Sequence, residues 1–440
     1  MNATALTKFI QTEDPHWKIA LVSNQGKFVM PSAYFGCAHG HIPPLKIEAS
    51  SVSGQVEPWS RTDVGVRVTK YLPHENKLQL SNGREYTYKA LVLAPGFDHS
   101  DTHIEGLPEM RASHEKENVY VHLLDNKLTV DRNYYHGWNH SFGDMICYSP
   151  AGPYKGEGSD FYALYYESFM RQDKLHGRST AGARIQYWTP NKEIFRFPYA
   201  NEVALDECHK RGIDVMFGWE LLRVHYNEIG EKIATFRNVD SGAILEKPFT
   251  HANINPPSKP HQNLVEAGIT NSQGLIDVNP YTLQHERFEN IFAFGDAIAG
   301  ETTRTQTAVY GQVPVVKHNL FHFMEGTALN AIYDGYTYWP FYLSHSHANC
   351  FQHTWDYEPA AKNHWVPSYG LFAAQYFKYQ MSSNLKANLA YAGLTKNHGP
   401  PYGNFNPVFD PLDKNEYLAS RGVDVEALRN IHAKGGAVRA

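Results

Sequence analysis

The apolar positions between Asn290 and Phe294 run without alternation, NIFAF, and stop at Gly295 and Asp296. An unbroken apolar run of that kind predicts a strand covered on both faces. Comparable runs occur in ALVLAPGF at Ala90 to Phe97, MICYS at Met145 to Ser149, ARIQYWTP at Ala183 to Pro190 and GIDVMFG at Gly212 to Gly218. A shorter run, KIALV, covers Lys18 to Val22. Between these strands, Ala3 to Gln11, Asp160 to Met170, Tyr199 to Lys210 and the segment holding Thr305, Ala308, Val309 and Gln312 read as helices. Strands interleaved with helices predict parallel pairing. In Gly65 to Lys70, Lys77 to Ser81 and Glu85 to Lys89 polar and apolar residues alternate instead, and Asn82-Gly83 is placed to turn a hairpin between the last two.

Composition narrows this picture. A chain of 440 residues can hold two or three domains with sizeable cores. Charged residues make up 19% and the formal net charge is -5, which gives no electrostatic case for nucleic acid. The four cysteines, Cys37, Cys147, Cys208 and Cys350, are too few and too scattered for a disulfide scaffold, and none form a C-x-x-C pair. No apolar run approaches the ~18 residues of a spanning helix. Neither a signal peptide nor a repeat is visible, and Met1 to Gln11 is too poor in arginine for a cleavable presequence. The 28 tyrosines and 24 histidines suit broad contact surfaces more than a reaction.

Candidate chemistry gathers after the NIFAF strand. Gly295 lets the backbone turn and approach a ligand, and Asp296 sets a carboxylate just past a strand's carboxyl end, where α/β sheets bind ligands. The helix that follows points free N–H groups toward the same place. Two histidine-cysteine clusters could suggest a metal. Cys37, His39 and His41 lack a fourth ligand nearby, so the loop reads as ordinary packing. His345, His347, Cys350 and His353 fall in a segment where Cys350 and His353 would face opposite sides of a strand, which spoils convergence on one ion. No metal site is assigned.

The motifs KIALVSNQGKFVMPS, YKALVLAPG, IEGLPE, PAGPYKGEGSDFYALYYESF, INPPSKP, GLIDVNPYTLQHERFENIFAFGDA, TRTQTAVYGQ and YDGYTYWP, in this order, resemble the mitochondrial-type sulfide:quinone oxidoreductases from about Ala3 to Pro401. That resemblance implies a flavoprotein of two dinucleotide-binding domains, bound to one membrane leaflet. Such proteins oxidise sulfide through paired cysteines beside FAD and pass electrons to ubiquinone. Against that pattern the chain opens near the first crossover helix, without the preceding strand and G-x-G-x-x-G turn, and Ser23 stands where a ribose-binding acid is implied. Pro95 precedes Gly96 in the turn that implies contact with the diphosphate, and IEGLPE matches the exit loop. Pro150, before Ala151-Gly152, occupies the first cysteine position, and Trp339 the second. Cys147 and Cys350 lie near but are shifted along the chain. Residues 368–394, amphipathic membrane helices by resemblance, keep an aromatic face at Leu371, Phe372, Tyr376, Phe377, Tyr379 and Met381, which Asn384, Lys386 and Asn388 interrupt.

The expected fold is α/β: two nested Rossmann-like, FAD/NAD(P)-binding domains, the first N-terminally truncated, plus a C-terminal hairpin and helical extension. Residues 1–110 and 260–330 form the first domain, 111–259 the second, and 331–440 the hairpin, amphipathic helices and extended arm. The leading reading is a catalytically inactive pseudoenzyme: an accessory subunit of a respiratory-chain-type inner-membrane complex in mitochondria. It has no assigned catalytic residue and no expected cofactor. Its partners are other protein subunits, with 368–394 as a candidate membrane-surface contact and no nucleic acid. The alternative is an FAD-dependent sulfide:quinone-type enzyme with an altered cysteine arrangement, whose flavin would touch Gly96, Gly295, Asp296, Arg304, Thr305 and Gln312. A third class, a quinone- or lipid-binding subunit, would show lipid against Phe372 and Phe377.

Overall fold

The computed structural model describes residues 6–7, 10, 16–25, 27–29, 48–51, 61–98, 100–113, 117–121, 143–152, 163–164, 184–300, 304–333, 335, 337–342, 347–353 and 372–373. Near the start, Leu6, Thr7 and Ile10 are helical and buried, as the opening helix requires. Strand β1 (Ala20–Ser23) pairs in parallel with β4 (Arg61–Val64), while β2 (Lys27–Val29) and β3 (Glu48–Ser51) form a separate antiparallel pair. The alternating segments become β5 (Val68–Leu72), β6 (Lys77–Leu80) and β7 (Glu85–Thr87), an antiparallel sheet whose Gly83 turn has φ +81. Buried Asp63 ties β4 to this sheet: Arg84 donates to it at 2.5 Å and the Tyr86 hydroxyl donates to its other oxygen. Strand β8 (Leu91–Leu93) ends that region.

One expectation fails next. IEGLPE does not remain a loop, because α1 (Leu107–Ala112) begins inside it. Pro108 fits a first helical turn, where its missing N–H is no loss. Gly106 precedes the helix at φ +75, and a Cβ there would drive into the Val224 carbonyl oxygen. Gly106→Ala is therefore expected to lower unfolding free energy by at least about 2 kcal/mol, measured by denaturant titration of the full chain.

The larger sheet is wholly parallel. Its order is β12 (Asp214–Phe217), β11 (Arg184–Thr189), β10 (Asp144–Tyr148), β16 (His251–Ile254) and β9 (Val119–Tyr120). Side chains alternate across it with period two. Met145, Cys147, Ile185 and Tyr187 pack with Ala200, Ala204 and Cys208 of helix α2 (Pro198–Arg211). Ile146, Tyr148 and Trp188 point the other way, onto a three-stranded antiparallel meander, β13 (Trp219–Tyr226), β14 (Lys232–Asn238) and β15 (Ile244–Pro248). There the Trp188 ring stacks on Phe236 with centroids 4.0 Å apart. Each such buried aromatic contributes about 1.5–3 kcal/mol by leaving water. Cys208 lies in this core, as expected for a packing cysteine, and its thiol is pushed up to about 12, chiefly by burial.

The chain then returns to the first sheet region through α3 (Gln262–Glu266) and β17 (Ile291–Ala293), which pairs in parallel with β8. Helix α4 (Gln306–Glu325) packs over this pair, with Val309, Val313, Val316 and Leu320 against Ile291 to Phe294. Beyond it, β18 (Thr337–Tyr342) and β19 (His347–His353) form the expected hairpin, edged by β20 (Phe372–Ala373). No described helix is long and apolar enough to cross a membrane. Cys37, His39, His41, the rest of 368–394 and the arm beyond it lie outside the described residues.

Candidate functional site

The long motif before β17 proves to be scaffolding. Asn279 Oδ1 accepts from the backbone N–H groups of Tyr281 and Thr282. His285 is buried; its Nε2 meets the Ile269 carbonyl at 2.9 Å, and its Nδ1 accepts from the Arg287 N–H. Those bonds fix one neutral tautomer, and burial holds the imidazole below its usual range. Asn319 of α4 reaches back to the carbonyls of Thr282 and Ala331, both at 2.9 Å. These bonds set where β17 ends, and hence where Gly295 and Asp296 sit.

Gly295 has φ +90, a left-handed conformation that favours glycine, and its N–H donates to Gln312 Oε1 at 2.8 Å. That bond fixes the amide of Gln312, which is fully buried, so that its Nε2 faces away from Gly295 with no acceptor among the described residues. Half-buried Asp296, with its carboxyl, follows directly. Desolvation pushes that carboxyl up to about 6, while Arg304 pulls it down. Arg304, with φ +52, donates to the Asp296 backbone carbonyl and, at 3.3 Å, to that of Ile298. Its guanidinium lies 5.3 Å from the centre of the Phe97 ring, in the loop after β8. Thr305 caps α4: its Oγ1 accepts from Ala308 N–H at 3.2 Å and bonds the Thr337 hydroxyl at 2.7 Å. Gly96, at φ +70, follows β8 beside Phe97.

All six expected site residues therefore fall at the carboxyl ends of two paired strands and the start of one helix. Phe97 and Thr337 belong to the same set and were not anticipated; an aromatic after Pro-Gly and a threonine opening a hairpin carry no signal in sequence. One amide donor without an acceptor among the described residues suits a ligand rich in hydroxyl and carbonyl groups, which describes the ribityl and ring portions of a flavin.

Asp296 carries a pH prediction. Unfolded, this carboxyl titrates near 3.8, and folded near 6. Between those values the folded chain keeps a proton that the unfolded chain releases, so stability falls as pH rises and the penalty is complete above about 6. Asp296→Asn removes it, and in denaturant titrations the variant should gain on the native chain across that window. Allowing for partial exposure, the gain should reach about 1–2 kcal/mol at pH 7.

The two sulfur positions are occupied differently. Pro150 is buried at the end of β10, and its carbonyl accepts from Asn191 Nδ2 at 3.2 Å. Cys147, three residues earlier, is a core residue whose thiol burial pushes far up. Trp339 pairs with Phe351 in the hairpin, and Pro340 with Cys350, whose side chain lies outside the described residues. His353 is buried against Phe197 with centroids 5.1 Å apart, and no cluster of three metal-binding side chains occurs among the described residues. Ser23 ends β1 with its hydroxyl bonded into its own turn at Gln25, 3.0 Å from the carbonyl oxygen.

Parallel strands whose carboxyl ends converge on a glycine-aspartate turn and a helix start define a Rossmann-type α/β class. Two solved structures share the fold. One is a chain of the Tetrahymena thermophila mitochondrial ATP synthase, with TM-score 0.79 and 24% identity, covering 91% of this chain and 95% of that one. The other is the sulfide:quinone oxidoreductase of Aquifex aeolicus, with TM-score 0.69 and 15% identity, covering 95% and 92%. In sequence the chain is a relative of the mitochondrial sulfide:quinone oxidoreductases. It is 27% identical to that of Schizosaccharomyces pombe over 61% of this chain and 57% of the relative. It is 25% identical to those of Dictyostelium discoideum, over 66% and 62%, and Mus musculus, over 62% and 59%. It thus spans about three fifths of these relatives' length. No protein-family model matches it.

Proposed function

We propose that this chain is a catalytically inactive relative of the sulfide:quinone oxidoreductases, serving as a structural or accessory subunit of a mitochondrial inner-membrane complex of the respiratory-chain type. Its two nested dinucleotide-type domains, 1–110 with 260–330 and 111–259, act as a scaffold for other subunits, and 368–394 is the candidate membrane-surface contact. One observation carries this reading: Pro150, tethered to Asn191, stands where the resemblance places an attacking cysteine, while Cys147 beside it is sealed in the core. Sulfur relay chemistry needs a thiolate and a second sulfur whose Cα lies within about 7 Å. Two further points support a subunit role: the chain's relatives are mitochondrial by name, and one structural neighbour is a chain of the Tetrahymena ATP synthase. The test is absorbance in the flavin bands of protein isolated from its native membrane. Flavin well below one per chain is expected, and a stoichiometric signal would overturn the reading.

The Gln312 amide, without an acceptor among the described residues, favours a second reading, an FAD-dependent oxidoreductase that passes electrons to ubiquinone. In it Gly96, Gly295, Asp296, Arg304, Thr305 and Gln312 hold the flavin, which would supply the two-electron chemistry. Under that reading the isolated protein carries one FAD per chain, and a shifted cysteine pair makes Cys147→Ser inactive.

A further inference from the structure

Arg304 stands out at the candidate site because it contacts two neighbouring loops at once. It donates to two carbonyls of the loop after β17, at Asp296 and Ile298, and lies against Phe97 in the loop after β8. Those loops follow neighbouring strands of one parallel pair, so the guanidinium joins the two strand ends where such sheets admit a ligand. The backbone is bent to put it there. Four non-glycine residues among those described have positive φ; two are asparagines, which tolerate it, and Arg304 at +52 lies directly before the Thr305 cap. Hydrogen bonds, ring contact and a left-handed backbone commit this side chain to the space between the two strand ends.

We propose that Arg304 is an intrinsic clasp, tying the carboxyl ends of β8 and β17 together in place of a bound ligand, so that clasp and ligand compete for one cleft. This rests on the reading of the chain as a scaffold that works without flavin, and it supplies the means: the strand ends are joined by the chain's own cation. A ligand must first displace the guanidinium, and the apparent dissociation constant rises by the inverse of the open fraction.

The test uses the full chain, with FAD as probe. Arg304→Ala should melt several degrees lower without FAD, yet bind FAD at least about tenfold more tightly than the native chain. Phe97→Leu loosens one side of the clasp and should move both readouts the same way by less. It keeps the test decisive if Arg304→Ala does not fold. A group that holds flavin gives the opposite sign, so weaker, unchanged or undetectable FAD binding in the folded variants would overturn the proposal. Failure of the scaffold reading appears separately, as stoichiometric flavin in the native protein before any substitution.

Discussion

Sulfide offered to the full-length chain with FAD and a short-chain ubiquinone is expected to reduce no quinone above the protein-free rate. That places it at least about a thousandfold below an enzyme with both sulfurs in place. The thiolate is the nucleophile in thiol-disulfide chemistry, and a bridging sulfur must receive the product sulfur. Pro150 supplies no sulfur, and Cys147 faces the α2 side of the parallel sheet with its thiol held far above its ordinary range by burial. Pro150→Cys alone should restore nothing, because Trp339 fills the second position. Quinone reduction that depends on sulfide and is lost in Cys147→Ser would contradict this.

Phe292→Ala is expected to cost about 3–5 kcal/mol of unfolding free energy, read from denaturant titration. Phe292 lies in β17, is fully buried, pairs with Val92 in register and meets Phe323 of α4 edge-on at 6.0 Å. Truncation leaves a cavity under the very strand that ends at Gly295, so the folded remainder should also lose part of its order around Asp296 and Gln312. A cost under about 1 kcal/mol would mean that β17 is not the pillar of its sheet.

What could be read from sequence follows from periodicity. The parallel strands β8, β10, β11, β12 and β17 announce themselves as apolar runs, and α2 and α4 appeared where expected. The meander did not. A bulge between Leu221 and Arg223 breaks the alternation of β13, and β14 is buried at four successive residues, so neither shows period two. Strand β16, HANI, hides because buried His251 and Asn253 make half of it polar. At the site, Gly295, Asp296, Thr305 and Gln312 were legible because strand end, turn and helix cap are local patterns. The tethering of Pro150 by Asn191, and the meeting of Arg304 with Phe97, join positions far apart in the chain and leave no local trace.

The proposed role is a retained architecture that serves assembly without sulfur chemistry. Its most direct test is the size and composition of the particle that holds this chain when mitochondrial membranes are opened with a mild detergent and resolved under native conditions. The chain should run at fixed stoichiometry within a large complex, with no sulfide-dependent quinone reduction in that band. A free chain or simple homo-oligomer that carries one flavin per copy and turns over sulfide would contradict it.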